Sequence, residues 1–132
     1  MRALLTCLIL LAACGDDGGV APTPDAGGPL DGVYALTWTC TSGCAVTAPP
    51  VTASTSLTIA GRVLAFTGGE GATHLATGAS EHCLGVPAAT EPGRRERDAY
   101  QICRTELTAT ADIRWITVQS PTPTVWHLQA VQ

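Results

Sequence analysis

The chain has 132 residues, with eleven acidic side chains against seven basic ones, all of them Arg, for a formal net charge of −4. That length holds one domain and not two. Seven basic residues against eleven acidic ones are too few to displace counterions from a polyanion, which argues against a nucleic-acid-binding surface. Thr, Val, Ala and Gly are plentiful and good helix formers scarce, the texture of pleated half-buried strands joined by turns.

Met1-Arg2 supplies one positive charge, and Ala3 to Ala13 is then apolar except for Thr6. A bilayer-spanning helix needs about 20 apolar residues. This run is about half as long and fits the apolar core of a signal peptide. It ends Leu11-Ala12-Ala13-Cys14-Gly15. This resembles the lipobox of bacterial lipoproteins, in which Leu and two small residues precede the Cys. The resemblance implies a diacylglyceryl thioether on the Cys14 sulfur, cleavage just before it, and acylation of the new α-amine. Residues 1–13 are then a removed signal peptide that takes Cys7 with it. Cys14 is the lipidation site, and the membrane is the first partner, since two or more acyl chains give stable anchoring. In that family acids close behind the lipid Cys influence sorting between membranes, so the resemblance, with Gly15 and not Asp at the first position, implies the outer membrane rather than the inner. The protein is expected in the cell envelope, outside the cytoplasm.

Residues 14–29 read as a tether. Gly15 to Pro29 holds five Gly, three Pro and three Asp and offers almost nothing to bury. Such a segment cannot offset its ordering entropy and is expected to be disordered. Its root-mean-square reach is roughly 20 Å. Asp16 and Asp17 are adjacent acids in a Gly-rich stretch and do not make a calcium site, which needs six or more oxygens held in place.

The body, residues 30–132, changes to alternation. Tyr34, Leu36, Trp38 and Cys40 fall at every second position and predict a strand with these four facing inward. Ser56 to Ile59 and Val63 to Thr67 predict two more, joined by a tight turn at Ala60-Gly61-Arg62. His74 to Thr77 predicts a short strand. Gly85 to Asp98 reads as irregular, broken by Pro87, Pro92 and Gly93, with Arg94 to Asp98 a solvated charged loop. Ala99 to Thr110 predicts one long strand. Ile113 to Gln119 and Thr124 to Val131 close the chain, joined by Ser120-Pro121-Thr122-Pro123. No window sustains a 3.6-residue period. About seven short strands with turns between neighbours predict an all-β antiparallel meander, closed as a barrel or sandwich. Asp31-Gly32-Val33-Tyr34 weakly resembles the opening of lipocalin-like barrels, with Tyr34 where that family's Gly-x-Trp signature has Trp. Trp38, Trp115 and Trp126 lie inside predicted strands and read as core.

Removing Cys7 and Cys14 leaves Cys40, Cys44, Cys83 and Cys103. An even count in an exported chain predicts two disulfides, with three possible connectivities. A turn through Gly43 allows a local Cys40–Cys44 bridge, which leaves Cys83 to pair with Cys103. The sharper alternative, a zinc site from these cysteines and His82, has ligand spacing only in its first pair and sits in an oxidising compartment. No metal is therefore expected.

His74, His82 and His127 are the histidines, and none lies in a recognised catalytic motif. Gly78-Ala79-Ser80-Glu81-His82 is not a nucleophile elbow. Gly68-Gly69-Glu70-Gly71 lacks the lysine of a phosphate-cradling loop and reads as a loop. No catalytic residue and no cofactor are assigned. The expectation is a non-enzymatic lipoprotein domain that binds another molecule or an envelope protein. The alternatives are a carrier holding a small apolar ligand in the barrel interior, and a protease inhibitor presenting the Cys83–Cys103 segment. The ligand-binding residues and the oligomeric state are not legible.

Overall fold

Period-two alternation builds every long element. The computed structural model describes residues 28–117 and 120–132; the signal-peptide, Cys14 and most of the tether calls lie outside the described residues. In β1 (Gly32–Ser42) Tyr34 is buried, and Leu36, Trp38 and Cys40 follow it half-buried on the same face. A single 3-10 turn (Pro50–Ala53) leads to β2 (Ser56–Ala60), β3 (Val63–Thr67), β4 (Ala72–Leu75), β5 (Gly78–Ala79) and β6 (Cys83–Val86). A short hairpin, β7 (Ala89–Glu91) and β8 (Arg95–Arg97), precedes β9 (Tyr100–Thr105), β10 (Thr108–Thr117) and β11 (Ser120–Val131).

All pairings are antiparallel. Nine strands follow the path β4-β3-β2-β1-β11-β10-β9-β6-β5, with β8 joined to β10 and β7 to β8. The sheet is a strongly curled half-barrel. Its terminal strands, β4 and β5, are separated in the chain only by Ala76 and Thr77. The Ala76 N–H donates to the Arg62 carbonyl at 2.8 Å, and the Thr77 N–H donates to the Gly85 carbonyl at 2.9 Å. One bent segment thus touches both ends of the sheet.

There are more strands than the seven expected, and the differences have local causes. Gly85 to Asp98 is not irregular: Pro92-Gly93-Arg94 turns the β7–β8 hairpin, with Gly93 and Arg94 both at positive φ. The predicted strand from Ala99 to Thr110 is two strands, reversed at Glu106-Leu107 with Glu106 at φ 57°. No Gly, Asn or Pro marks that turn. Ser120 to Pro123 belongs to β11 rather than to a connection. Proline is tolerated there because β1 ends opposite Val125, so that stretch faces only β10, across an irregular register.

Tyr34, Phe66 and Trp115 fill the interior with Leu57, Ile113 and Leu128, all at most 1% exposed. Trp38 and Trp126 are half-buried and pack against this core. Leu30 is fully buried, and its carbonyl accepts the Tyr34 hydroxyl at 2.5 Å.

The half-barrel has two distinct ends. At one end lie the turns at Gly61-Arg62 and Glu106-Leu107 and the C-terminus, whose Gln132 N–H donates to the Leu107 carbonyl. The described chain enters here: Gly28 lies against Gly61, and the Gly61 N–H donates to Asp31 Oδ1 at 2.8 Å. At the other end lie the Cys40–Cys44 loop, the 3-10 turn and the turns at 68–71 and 92–94.

Two disulfides are present. Cys40 and Cys44 span a turn at a Cα–Cα distance of 5.8 Å, with Gly43 at φ 67°. Cys83 and Cys103 face one another in the β6–β9 register, 4.0 Å apart at Cα. Disulfides persist in oxidising compartments, so they point to an extracytoplasmic protein.

Candidate functional site

A pocket of about 500 Å³ opens between β4 and the β7–β8 hairpin, toward the end away from the N-terminal entry. Val51 from the 3-10 turn, Pro87 and Pro92 give it apolar walls, and Glu70 and Arg95 stand at its lining. Proline-rich walls lose little conformational freedom when a ligand is held, because their backbone is already restricted.

Its floor is a buried polar network. β4 alternates so that His74 points in while Thr73 and Leu75 are exposed. One His74 ring nitrogen, Nε2, lies 2.9 Å from Glu91 Oε2; the other, Nδ1, lies 2.7 Å from the Tyr100 hydroxyl. Arg97, only 4% exposed, donates from Nη1 to the same Glu91 oxygen at 3.1 Å and from Nη2 to the Pro87 carbonyl at 2.7 Å. Trp115 Nε1 donates to the second Glu91 oxygen. The Arg97 guanidinium also sits over the Tyr100 ring, 5.4 Å from its centroid. Five strands, β4 and β7 to β10, contribute one side chain each.

The electrostatics follow from this convergence. Burial acts to raise the Glu91 pKa, but hydrogen bonds from His74 and Trp115, then the charges of His74 and Arg97, outweigh it and hold the carboxyl below its ordinary value. Burial raises the Tyr100 phenol well above its ordinary value, against the opposing pull of Arg97. The floor therefore presents a carboxylate and a neutral phenol at neutral pH. Glu91 serves its neighbours, and no nucleophile beside a free base is assembled here. What the arrangement offers a ligand is apolar walls with polar groups fixed in orientation by mutual hydrogen bonds.

The histidines are not brought together. His82 is exposed beside Glu81, and His127 pairs with Asp112 at 2.8 Å on the outer surface. The four body cysteines are consumed in disulfides, and no group of metal-ligating side chains occurs among the described residues. Trp115 is core, but its indole also joins the pocket floor; Trp38 Nε1 donates to the Ser54 carbonyl and Trp126 Nε1 to Thr124 Oγ1.

Sequence reasoning missed Glu91 and Arg97 and found no role for His74. Arg97 was expected in a solvated loop and is instead an inward-facing strand residue. The available signal was the Pro92-Gly93 turn between Glu91 and Arg95, which marks a hairpin. Arg95 and Arg97, two apart, then share one face.

Comparison with protein-family models, with curated proteins and with solved structures finds no match to this chain.

Proposed function

We propose that this protein is a lipid-anchored binding module of the cell envelope, non-enzymatic, taking a small amphipathic ligand in the pocket between β4 and the β7–β8 hairpin. The observation that carries the binding role is the pocket itself: apolar walls over a buried His74–Glu91–Arg97 floor, at the end away from the N-terminal entry. Such pockets recognise ligands by apolar contact and use a few fixed polar groups for orientation. The interior is filled by Tyr34, Phe66 and Trp115, so a ligand is held at the mouth rather than inside the half-barrel. Anchoring rests on the lipobox ending at Cys14. The disulfides support the compartment, and the outer membrane is favoured by Gly15.

Two experiments test this reading. Cys14→Ser should shift the protein from the membrane to the soluble fraction; unchanged fractionation would remove the anchor. For the pocket, a library of small amphipathic compounds is screened by thermal shift on the parent and on Thr73→Trp. The exposed Thr73 lines the pocket and is absent from its hydrogen-bonded floor. Compounds that stabilise the parent should lose at least about tenfold in affinity on Thr73→Trp, a change of about 1.4 kcal/mol. Equal binding to both proteins would place the ligand elsewhere.

A further inference from the structure

Val33, Val63, Leu75, Leu107 and Val131 are the large apolar side chains left 41–63% exposed among the described residues. The strand registers place all five at the end where the chain enters. Val63 follows the Gly61-Arg62 turn and stands opposite Leu75. Val33 lies one residue beyond Gly32, which pairs with Ile59 near that turn. Val131 pairs with Ala35 and with Thr108, and Leu107 is in the β9–β10 turn itself. The five therefore follow an arc of the rim, from β4 round to β10. Leu75 also borders the pocket; no other exposed large apolar side chain of this kind lies toward the far end among the described residues.

We propose that this rim is a membrane-docking surface that settles into the apolar boundary of the same bilayer that holds the Cys14 lipid. The proposal rests on the anchored reading given above. Its geometric basis is where the chain enters. Gly28, the first described residue, follows Cys14 by only 14 positions in the chain. The 12-residue β11 runs about 40 Å along the body at about 3.3 Å per residue. The lipid is joined to the body at the rim, so the rim is the part of the body closest to it along the chain and the pocket lies a body length further away. Exposed apolar groups gathered at one end of a body mark an interaction site. Here they stand singly on turns and strand ends, interleaved with Arg62, Glu81 and Glu106, rather than as the continuous core of a protein interface. The mixed charge suits a zwitterionic headgroup surface.

The test separates the rim from the anchor. The mature chain lacking residues 1–13 and carrying Cys14→Ser has no acyl chain, and its packed body from Leu30 onward is intact. It should co-sediment measurably with phosphatidylcholine vesicles. Adding Val33→Asn and Leu107→Asn, both at exposed positions outside the pocket lining, should lower the partition coefficient about tenfold while leaving the melting temperature unchanged; transfer of two half-exposed apolar side chains accounts for that size. Thr47→Asn and Thr67→Asn, at exposed far-end positions outside the pocket lining, serve as the control and should change nothing. Mass spectrometry of the N-terminal peptide from cells reports separately whether Cys14 is acylated, so the anchored reading can fail while the rim stands. No partition, or partition unaffected by the rim substitutions, overturns the proposal. Loss of self-association in sedimentation velocity, with vesicle binding unchanged, overturns it in favour of a contact between copies.

Discussion

Glu91 stands opposite Arg95 in the β7–β8 register, yet its carboxylate pairs with Arg97, one diagonal away, at 3.1 Å. Diagonal neighbours on a sheet face are within reach of long side chains. The choice is decided by burial: Arg97 is inside and Arg95 reaches outward to the Ala48 carbonyl. Removing one member of a buried pair leaves an uncompensated charge and costs on the order of 3 kcal/mol. Arg97→Met should destabilise by about 2–3 kcal/mol, somewhat discounted because His74 and Trp115 still serve Glu91. Arg95→Met should change stability by less than about 1 kcal/mol. Urea denaturation measures both, and equal losses would contradict the buried-pair reading.

Stability should fall at both pH extremes for identifiable reasons. The Glu91 pKa is lowered on folding, so its contribution is fully present above the unfolded carboxyl value of 4.5 and is lost as pH drops through the lower folded value. Glu91→Gln should flatten the acid limb of a stability–pH profile. The Tyr100 pKa is raised, so its contribution is present below the unfolded value of 10.0 and is lost as pH rises above it. Tyr100→Phe should flatten the alkaline limb and leave the acid limb unchanged. Urea midpoints across the pH range check both signs.

Gly43 sits at φ 67° inside the Cys40–Cys44 loop, and a Cβ there would run into the Pro123 carbonyl. An L-residue pays about 1–2 kcal/mol in that conformation before any clash is counted. Gly43→Ala should therefore destabilise by at least about 1 kcal/mol and raise the fraction of free thiol at Cys40 and Cys44 in quantitative alkylation. A stability equal to the parent would show that the loop can rearrange.

The two disulfides should differ in effect. In the chain-entropy picture, the bridge with a sequence separation of 20 restricts the unfolded chain by about 3 kcal/mol, and the one with a separation of 4 by about 2 kcal/mol. Replacing Cys83 and Cys103 by Ser should lower the urea midpoint more than replacing Cys40 and Cys44. Hydrogen exchange should then loosen β5 first. β6 keeps its ladder to β9 through Leu84–Ile102 and Val86–Tyr100, whereas β5 pairs only with β6. Exchange that rises first in β1 would reverse that order.

Much of the framework was legible because its determinants are local. The run Tyr34, Leu36, Trp38, Cys40 announces its strand by alternation, and Ala60-Gly61-Arg62 announces its turn by glycine. Four body cysteines in an export-like context announce two bridges, and the all-β class follows from alternation with no 3.6-residue period. Where local chemistry is silent, the reading went astray. Thr105-Glu106-Leu107-Thr108 reverses the chain with no residue that marks a turn, so two strands looked like one. Pro121 and Pro123 looked like a connection because sequence cannot say that β1 has already ended beside them.

The amino-acid sequence by itself thus determined the strand-rich class and the cysteines available for cross-linking. The site was decided only by tertiary structure. His74, Glu91, Arg97, Tyr100 and Trp115 come from five strands, and His74 and Trp115 are 41 positions apart in the chain. Nothing in their local patterns distinguishes them from solvated or core residues. A charged side chain such as Arg97 reads as surface because an isolated buried charge is prohibitively costly. It becomes an interior residue only when curling of the sheet brings a carboxylate, a carbonyl and an aromatic ring around it.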